Sequence, residues 1–205
     1  MKKVVLFALS TLTLALAGPA LALGVGGNPA AGKAKSEECT ACHTATGNSK
    51  NTKYPKIAGF SEVYIYKQLT DYKEGRRVNN LMSEQVAVLN DQDMRDLAAY
   101  FASQDRTPGT ADETVVELGR AVYMGGNSAT GVAACAACHA PNGAGNAAAK
   151  FPALAGQHPE YISTQLHAFS KGERANDAGQ MMRNIASKMS DAEIEAVSEY
   201  VSGLQ

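Results

Sequence analysis

Apolar residues recur along this chain with a helical period. Ile65, Leu69 and Tyr72 fall at i, i+4 and i+7, and Ile162, Leu166 and Phe169 repeat that spacing, so each set makes one apolar stripe on a helix. A second kind of stripe follows each of them. Met94, Leu97, Ala98 and Phe101 lie behind Asn90 and Asp93; Ile194, Val197 and Val201 lie behind Ser190 and Glu193. A cap residue followed three positions later by an acid opens a helix, and Ser190 with Glu193 is a capping box. No segment alternates convincingly with period two, so the expected fold is all-α.

The pattern is written twice. Tyr54-Pro55-Lys56-Ile57-Ala58-Gly59 recurs as Phe151-Pro152-Ala153-Leu154-Ala155-Gly156. Tyr64-Ile65, Gln68-Leu69, Tyr72 and Gly75 recur as Tyr161-Ile162, Gln165-Leu166, Phe169 and Gly172. The offset is 96 residues at His43 and His139, 97 through this stretch and 100 at the last caps. Small loop insertions explain the drift. Gln104 to Thr110, with Pro108 and Gly109, reads as a linker. The expected organisation is a leader over 1–22, one domain over 23–106 and a similar one over 107–205. Domains this small, without tryptophan and with stretches such as Asn142 to Ala149, bury little apolar area and need a staple or a prosthetic group.

The amino terminus sets the compartment. Met1-Lys2-Lys3 precedes an uncharged, largely apolar run from Val4 to Ala17, then Gly18-Pro19 and Ala20-Leu21-Ala22. That is the layout of a secretory signal peptide, and the apolar run is shorter than a bilayer span. Cleavage after Ala22 is expected, with export to the periplasm. After cleavage no integral membrane span is expected, only peripheral association with a membrane surface; a leader that is never cut and acts as an anchor is the alternative. Loss of Lys2 and Lys3 leaves 17 basic and 20 acidic residues, ten of each up to Asp105, then seven basic and ten acidic. No basic stripe suggests nucleic acid.

Four cysteines in an exported chain would ordinarily pair as disulfides. Here they stand as Cys39-Thr40-Ala41-Cys42-His43 and Cys135-Ala136-Ala137-Cys138-His139. C-x-x-C-H is the attachment signature of c-type haem, and one accidental match is expected in about a thousand chains of this composition. The two thiols form thioethers with the haem vinyl groups, and the adjacent histidine reaches the iron from the same turn. Two covalent haem c groups are therefore expected, on Cys39/Cys42 and Cys135/Cys138, with His43 and His139 as axial ligands. A redox-active C-x-x-C would want a thioredoxin-like strand–helix alternation, and a zinc site a fourth ligand at finger spacing; neither is visible.

The sixth ligand is sought among methionines and histidines. Met82 stands eight residues before Asn90 and Met182 eight before Ser190, and no other methionines superpose in the repeat. They are the expected ligands, with the adjacent Met181 as the alternative. Met181 aligns with Leu81, Met189 with Leu89 and Met94 with Ile194, which reads as core packing. Met124 has no counterpart. His158 aligns with Ser61 and His167 with Thr70, so both read as surface or loop residues. Pro55 and Pro152 do repeat, and a carbonyl there is placed to accept each ligating histidine's Nδ1–H.

Together these motifs, with Met182-Arg183-Asn184-Ile185-Ala186 before the terminal helix, resemble the cytochrome c4 family. Met82-Ser83-Glu84-Gln85-Val86-Ala87 departs from that pattern by lacking the arginine. The resemblance implies two class I cytochrome c domains related by a pseudo-twofold axis, haem propionates near their interface and His/Met ligation at both irons. It also implies an electron carrier, not an enzyme, serving redox partners such as a membrane quinol-oxidising complex and a terminal oxidase. Methionine ligation at both irons suits the high potential of a late carrier and leaves no open position for a substrate. A similar two-haem chain serves as the cytochrome subunit of a flavoprotein sulfide dehydrogenase, which is the competing expectation; a two-haem peroxidase would need an open iron.

Overall fold

The computed structural model describes residues 24–204; the expected signal peptide lies outside them. The first half contains α1 (Pro29–Lys35), α2 (Glu37–His43), α3 (Glu62–Lys73), α4 (Asn80–Ala87) and α5 (Asp91–Ala102). The second contains α6 (Val116–Gly125), α7 (Ala136–His139), α8 (Pro159–Ser170), a 3₁₀ turn over Ala178–Gln180, α9 (Met181–Ala186) and α10 (Asp191–Gly203). Among the described residues there is no strand, only isolated bridges pairing Asn127 with Val132 and Asn146 with Phe151.

In each half the first and last helices cross, α1 on α5 and α6 on α10. The crossing is close because glycine stands at it. A Cβ on Gly32 would lie 2.0 Å from the Asp96 carbonyl oxygen, and one on Gly119 would lie 2.1 Å from that of Ala196. The middle helices α3 and α8 lay their stripes on α5 and α10. Ile65, Leu97, Ala98, Tyr100 and Phe101 make one core. Val122, Tyr123, Ile162, Leu166, Phe169, Ile194, Val197 and Val201 make the other. Both terminal helices open on a full capping box: Asn90 and Asp93 exchange side-chain and backbone hydrogen bonds, as Ser190 and Glu193 do.

The halves meet through exchanged side chains. Arg77 donates to the Tyr161 hydroxyl at 2.9 Å and to Gln165 Oε1 at 2.8 Å. Arg174 donates in turn to the Tyr64 hydroxyl and Gln68 Oε1, both at 3.3 Å. Because these residues are equivalent in the repeat, the exchange has the reciprocity of a pseudo-twofold contact. Each arginine also lies over the aromatic ring of its own half, Arg77 on Tyr72 at 4.7 Å and Arg174 on Phe169 at 4.5 Å. Lys56 and Gln157 join the halves again, Lys56 N–H to Gln157 Oε1 at 2.9 Å and Gln157 Nε2 to the Lys56 carbonyl at 2.7 Å.

The connection between the halves is pinned. Arg106 Nε donates to the Ala58 carbonyl at 2.8 Å and Nη1 to that of Ala155 at 3.2 Å, while the guanidinium sits over the Phe60 ring at 4.1 Å. Asn48 donates to the Asp105 carbonyl and accepts from the Thr107 amide, each at 2.8 Å.

Candidate haem sites

Each attachment motif occupies one short helix. Cys39, Cys42 and His43 lie on α2; Cys138 and His139 lie on α7, with Cys135 at its start. Immediately after each histidine the chain turns sharply, through Thr44 at φ 64° and Ala140 at φ 65°. The loop then folds back: the Gly47 carbonyl accepts from the Ile57 and Ala58 amides, and the Gly143 carbonyl from the Leu154 and Ala155 amides. Gly47 and Gly143 stand at φ 76° and 70°, a region glycine enters without strain.

This return delivers a carbonyl to each imidazole. His43 Nδ1 donates to the Pro55 carbonyl at 2.9 Å and His139 Nδ1 to the Pro152 carbonyl at 2.8 Å. Both histidines are 7 % exposed. Burial pushes both imidazoles below the usual histidine range, against the opposing pull of these hydrogen bonds. The neutral ring with its proton on Nδ1 leaves the Nε2 lone pair for a metal, and the carbonyl raises its basicity.

The four cysteines are half-buried and none is in a disulfide. Burial raises the Cys39 thiol and pushes Cys135 up to about 11, the reverse of the lowered value a redox-active C-x-x-C needs. Among the described residues no three His, Cys, Asp or Glu side chains are grouped to hold a bare metal ion.

The methionines separate by exposure. Met182, on α9, is half-buried against the same core as Cys135. Met82, on α4, is half-buried, outside the residues packed on the first core. Met94 and Met189 are core, as expected. The reading of Met181 and Leu81 as core is corrected: Met181 is 39 % exposed and Leu81 57 %, because α4 and α9 turn that position outward. His158 is corrected too. It stands half-buried at the start of α8, with Nε2 on the Ser49 carbonyl at 2.9 Å, and so bridges the halves. His167 is on α8 itself, half exposed and facing Asp191 at 3.9 Å.

Around the interface lie cations that sequence reasoning passed over. Lys56, Arg77 and Arg174 are buried and Arg106 is half-buried, and none of them makes a salt bridge among the described residues. Lys56 Nζ donates to the carbonyls of Thr107 and Pro108, at 2.9 and 3.2 Å. Burial lowers Lys56 and pulls Arg106 down to about 10. Arg106 Nη2 is sealed from solvent without a hydrogen-bond partner. A buried cation without a counter-charge is costly, so this cluster fits a prosthetic group that brings its own carboxylates. Thiols, imidazoles, methionines and cations together suit haem c.

Comparison with known proteins agrees. The family described as Cytochrome c matches the chain twice, over residues 29–105 and 116–205. Cytochrome c4 of Pseudomonas aeruginosa is 46 % identical over 194 residues, covering 94 % of this chain and 95 % of that protein. The chain belongs to the cytochrome c4 family. The crystal structure of reduced recombinant cytochrome c4 from Pseudomonas stutzeri superposes with a TM-score of 0.85 at 42 % identity, covering 87 % of this chain and all of that one. A thiosulfate dehydrogenase electron acceptor from Stutzerimonas stutzeri is 35 % identical over 183 residues, covering 87 % of this chain and 82 % of that protein. Two tandem cytochrome c domains, two covalent haem c groups and a dihaem electron-carrying role follow from this membership. These relatives do not favour the flavoprotein-subunit alternative.

Proposed function

We propose that the chain is an exported, periplasmic carrier that passes single electrons through two His/Met-ligated haems, from a membrane quinol-oxidising complex toward a terminal oxidase. In this reading Cys39 and Cys42 attach one haem and Cys135 and Cys138 the other. His43 with Met82 would hold one iron, and His139 with Met182 the other. The observation that carries it is the paired histidine geometry: two buried imidazoles, each with Nδ1 committed to a proline carbonyl and Nε2 left over.

Bound haem supplies the one-electron chemistry. The chain's own residues do the rest. Pro55 and Pro152 hold the rings in one tautomer and orientation. The two helical cores exclude water from the histidines, which raises a potential by disfavouring the more highly charged ferric form. Lys56, Arg77, Arg106 and Arg174 would supply positive charge to the carboxylates of the bound groups. Each half, 23–106 and 107–205, folds around its own haem.

A second reading concerns the donor. Relatives named thiosulfate dehydrogenase electron acceptors, at 35 % and 33 % identity, favour delivery from such a dehydrogenase. Among the described residues no helix is long and apolar enough to cross a membrane. Mass spectrometry of the mature protein tests export and haem together: it should show cleavage after Ala22 and the mass of two haems. Stopped-flow reduction by a quinol-oxidising complex and by a thiosulfate dehydrogenase then separates the two donors. Oxidation by a terminal oxidase tests the exit, and failure of the reduced protein to turn over with any oxidase would overturn that assignment.

A further inference from the structure

Met82 and Met182 occupy equivalent places in the repeat, yet the helices that carry them are started by different means. In the first half the side chain of Asn79 caps α4 and accepts the Met82 amide itself at 3.0 Å. At the far end Lys73 Nζ donates to the Ala87 carbonyl at 2.9 Å. Asn176 is the residue that aligns with Asn79, at the 97-residue offset that Arg77 and Arg174 share. It caps nothing. Its amide donates to Gln68 at 3.1 Å and to Asp71 at 2.6 Å across the interface, and its oxygen accepts from Arg174 at 3.0 Å.

Three further residues, Ala178 to Gln180, then intervene before α9 and account for the offset reaching 100 at Met182. Gly179 and Gln180 both turn left-handed, each at φ 59°, and the Gln180 side chain makes no cap hydrogen bond. A left-handed non-glycine residue costs energy and persists only where its surroundings hold it. The six residues of α9 are too few to be stable alone, so its place is set by the packing of Ala186 and Ile185 on the second core and by a polar tether at its start. That tether is Asp177. Its Oδ2 accepts the Arg183 amide at 3.0 Å and its Oδ1 accepts from Arg183 Nε at 2.8 Å, with the carboxylate side chain only 4 % exposed. Charge-assisted bonds to a buried carboxylate are short and stiff, and breaking one leaves a charge stranded out of water. The residue so clamped is the immediate neighbour of Met182.

We propose that Asp177 and Arg183 are positioning residues for the Met182 thioether, replacing across the three-residue turn the cap that Asn79 supplies to Met82. The pair explains why an arginine follows the methionine in the second half and serine follows it in the first. It rests on Met182 as an axial ligand. Clamping residue 183 restricts the swing of α9, so the thioether returns to the iron instead of yielding to a competing ligand.

The test uses the full-length, haem-loaded ferric protein and reads the far-red thioether band, the shifted haem methyl resonances, both potentials and the pH at which methionine is displaced. Arg183→Gln and Asp177→Asn should each raise the methionine-displacement constant of the second haem by about tenfold, a change of 1.4 kcal/mol, and lower that haem's potential, leaving the first haem unmoved. Arg183→Lys should recover part of the loss, since a point charge replaces the planar fork. Asn79→Ala should do to the first haem alone what Arg183→Gln does to the second. Met182→Leu separates the two ideas. If it leaves the band whole, the ligand assignment fails and this inference with it. If it removes half the band while Arg183→Gln lowers only the unfolding temperature, moving neither band, resonances nor potential, the pair is merely structural and the inference is overturned. Arg183→Gln keeps the capping carboxylate, so the test stands even if Asp177→Asn fails to load haem.

Discussion

In the first half His43 meets Pro55 at 2.9 Å, and in the second His139 meets Pro152 at 2.8 Å, behind the same left-handed turn and the same glycine-closed loop. Forty residues further along the likeness ends. Met82 sits on an eight-residue helix capped by a neutral asparagine, whereas Met182 sits on a six-residue helix tied down by a half-buried ion pair. The difference teaches where a duplicated domain is free to diverge. On the histidine side the two cysteines and the histidine of each attachment motif fall within five residues, so an inserted residue breaks their spacing. The methionine is delivered by a separate helix, so three extra residues are tolerated once a new tether replaces the old cap.

The largest effect expected breaks the comparison outright. Replacing Cys135 and Cys138 together by serine should halve the haem content from two groups per chain to one, read by a pyridine haemochrome assay. The corresponding change at Cys39 and Cys42 should do the same. Retention of two acid-resistant haems in either variant would contradict the attachment.

Ligation comes next. Met82→His and Met182→His should each remove about half of the far-red band and lower one of the two potentials, since bis-His ligation favours ferric iron more than His/Met. Met181→Leu should leave the band nearly whole, because that side chain points outward. Loss of half the band in the Met181 variant would shift the register of α9 by one residue.

Smaller effects compare the helix crossings. Gly32→Ala and Gly119→Ala each force a methyl group against a carbonyl oxygen, at 2.0 and 2.1 Å, and should cost about 2 kcal/mol of stability in thermal unfolding. The similar distances predict similar losses in the two halves. A stabilising change in either would show that the crossing relaxes there.

The smallest concern the caps. Asn90→Ala and Ser190→Ala should each cost about 1 kcal/mol. Hydrogen bonds to Lys35 and to the Asn90 backbone hold Asp93 below the usual carboxylate range, and bonds to Asn127 and Ser190 do the same for Glu193. Groups with depressed values stabilise the fold above the ordinary carboxylate range, and that contribution fades as pH falls through their folded values. Glu193→Gln should therefore flatten the acid limb of the second half's stability curve, measured by thermal unfolding from mildly acidic pH down through and below the ordinary carboxylate range.

Much of the site was legible from spacing alone, because it depends on neighbours in the chain. Cys39 to His43 and Cys135 to His139 are contiguous, the α5 and α10 capping boxes span three residues, and the stripes of α3 and α8 follow the helical period. The short helices α1 and α6 were not visible. Their signal is a glycine whose importance appears only when Asp96 or Ala196 is brought against it from more than sixty residues away. Leu81 and Met181 misled because an apolar residue in register reads as core until the helix's rotation is known.

By itself the sequence determined the fold class, the duplication and the chemistry of attachment, since each is written in periodicity or in residues linked through one turn of backbone. Only the tertiary structure decided the rest: which face of α4 and α9 turns inward, that Arg77 and Arg174 cross to the opposite half, and that His158 bridges the halves. It also decided that Lys56 and Arg106 gather where, among the described residues, no carboxylate forms a salt bridge with them. Burial and long-range pairing are properties of two segments at once, and neither segment carries a local record of the other.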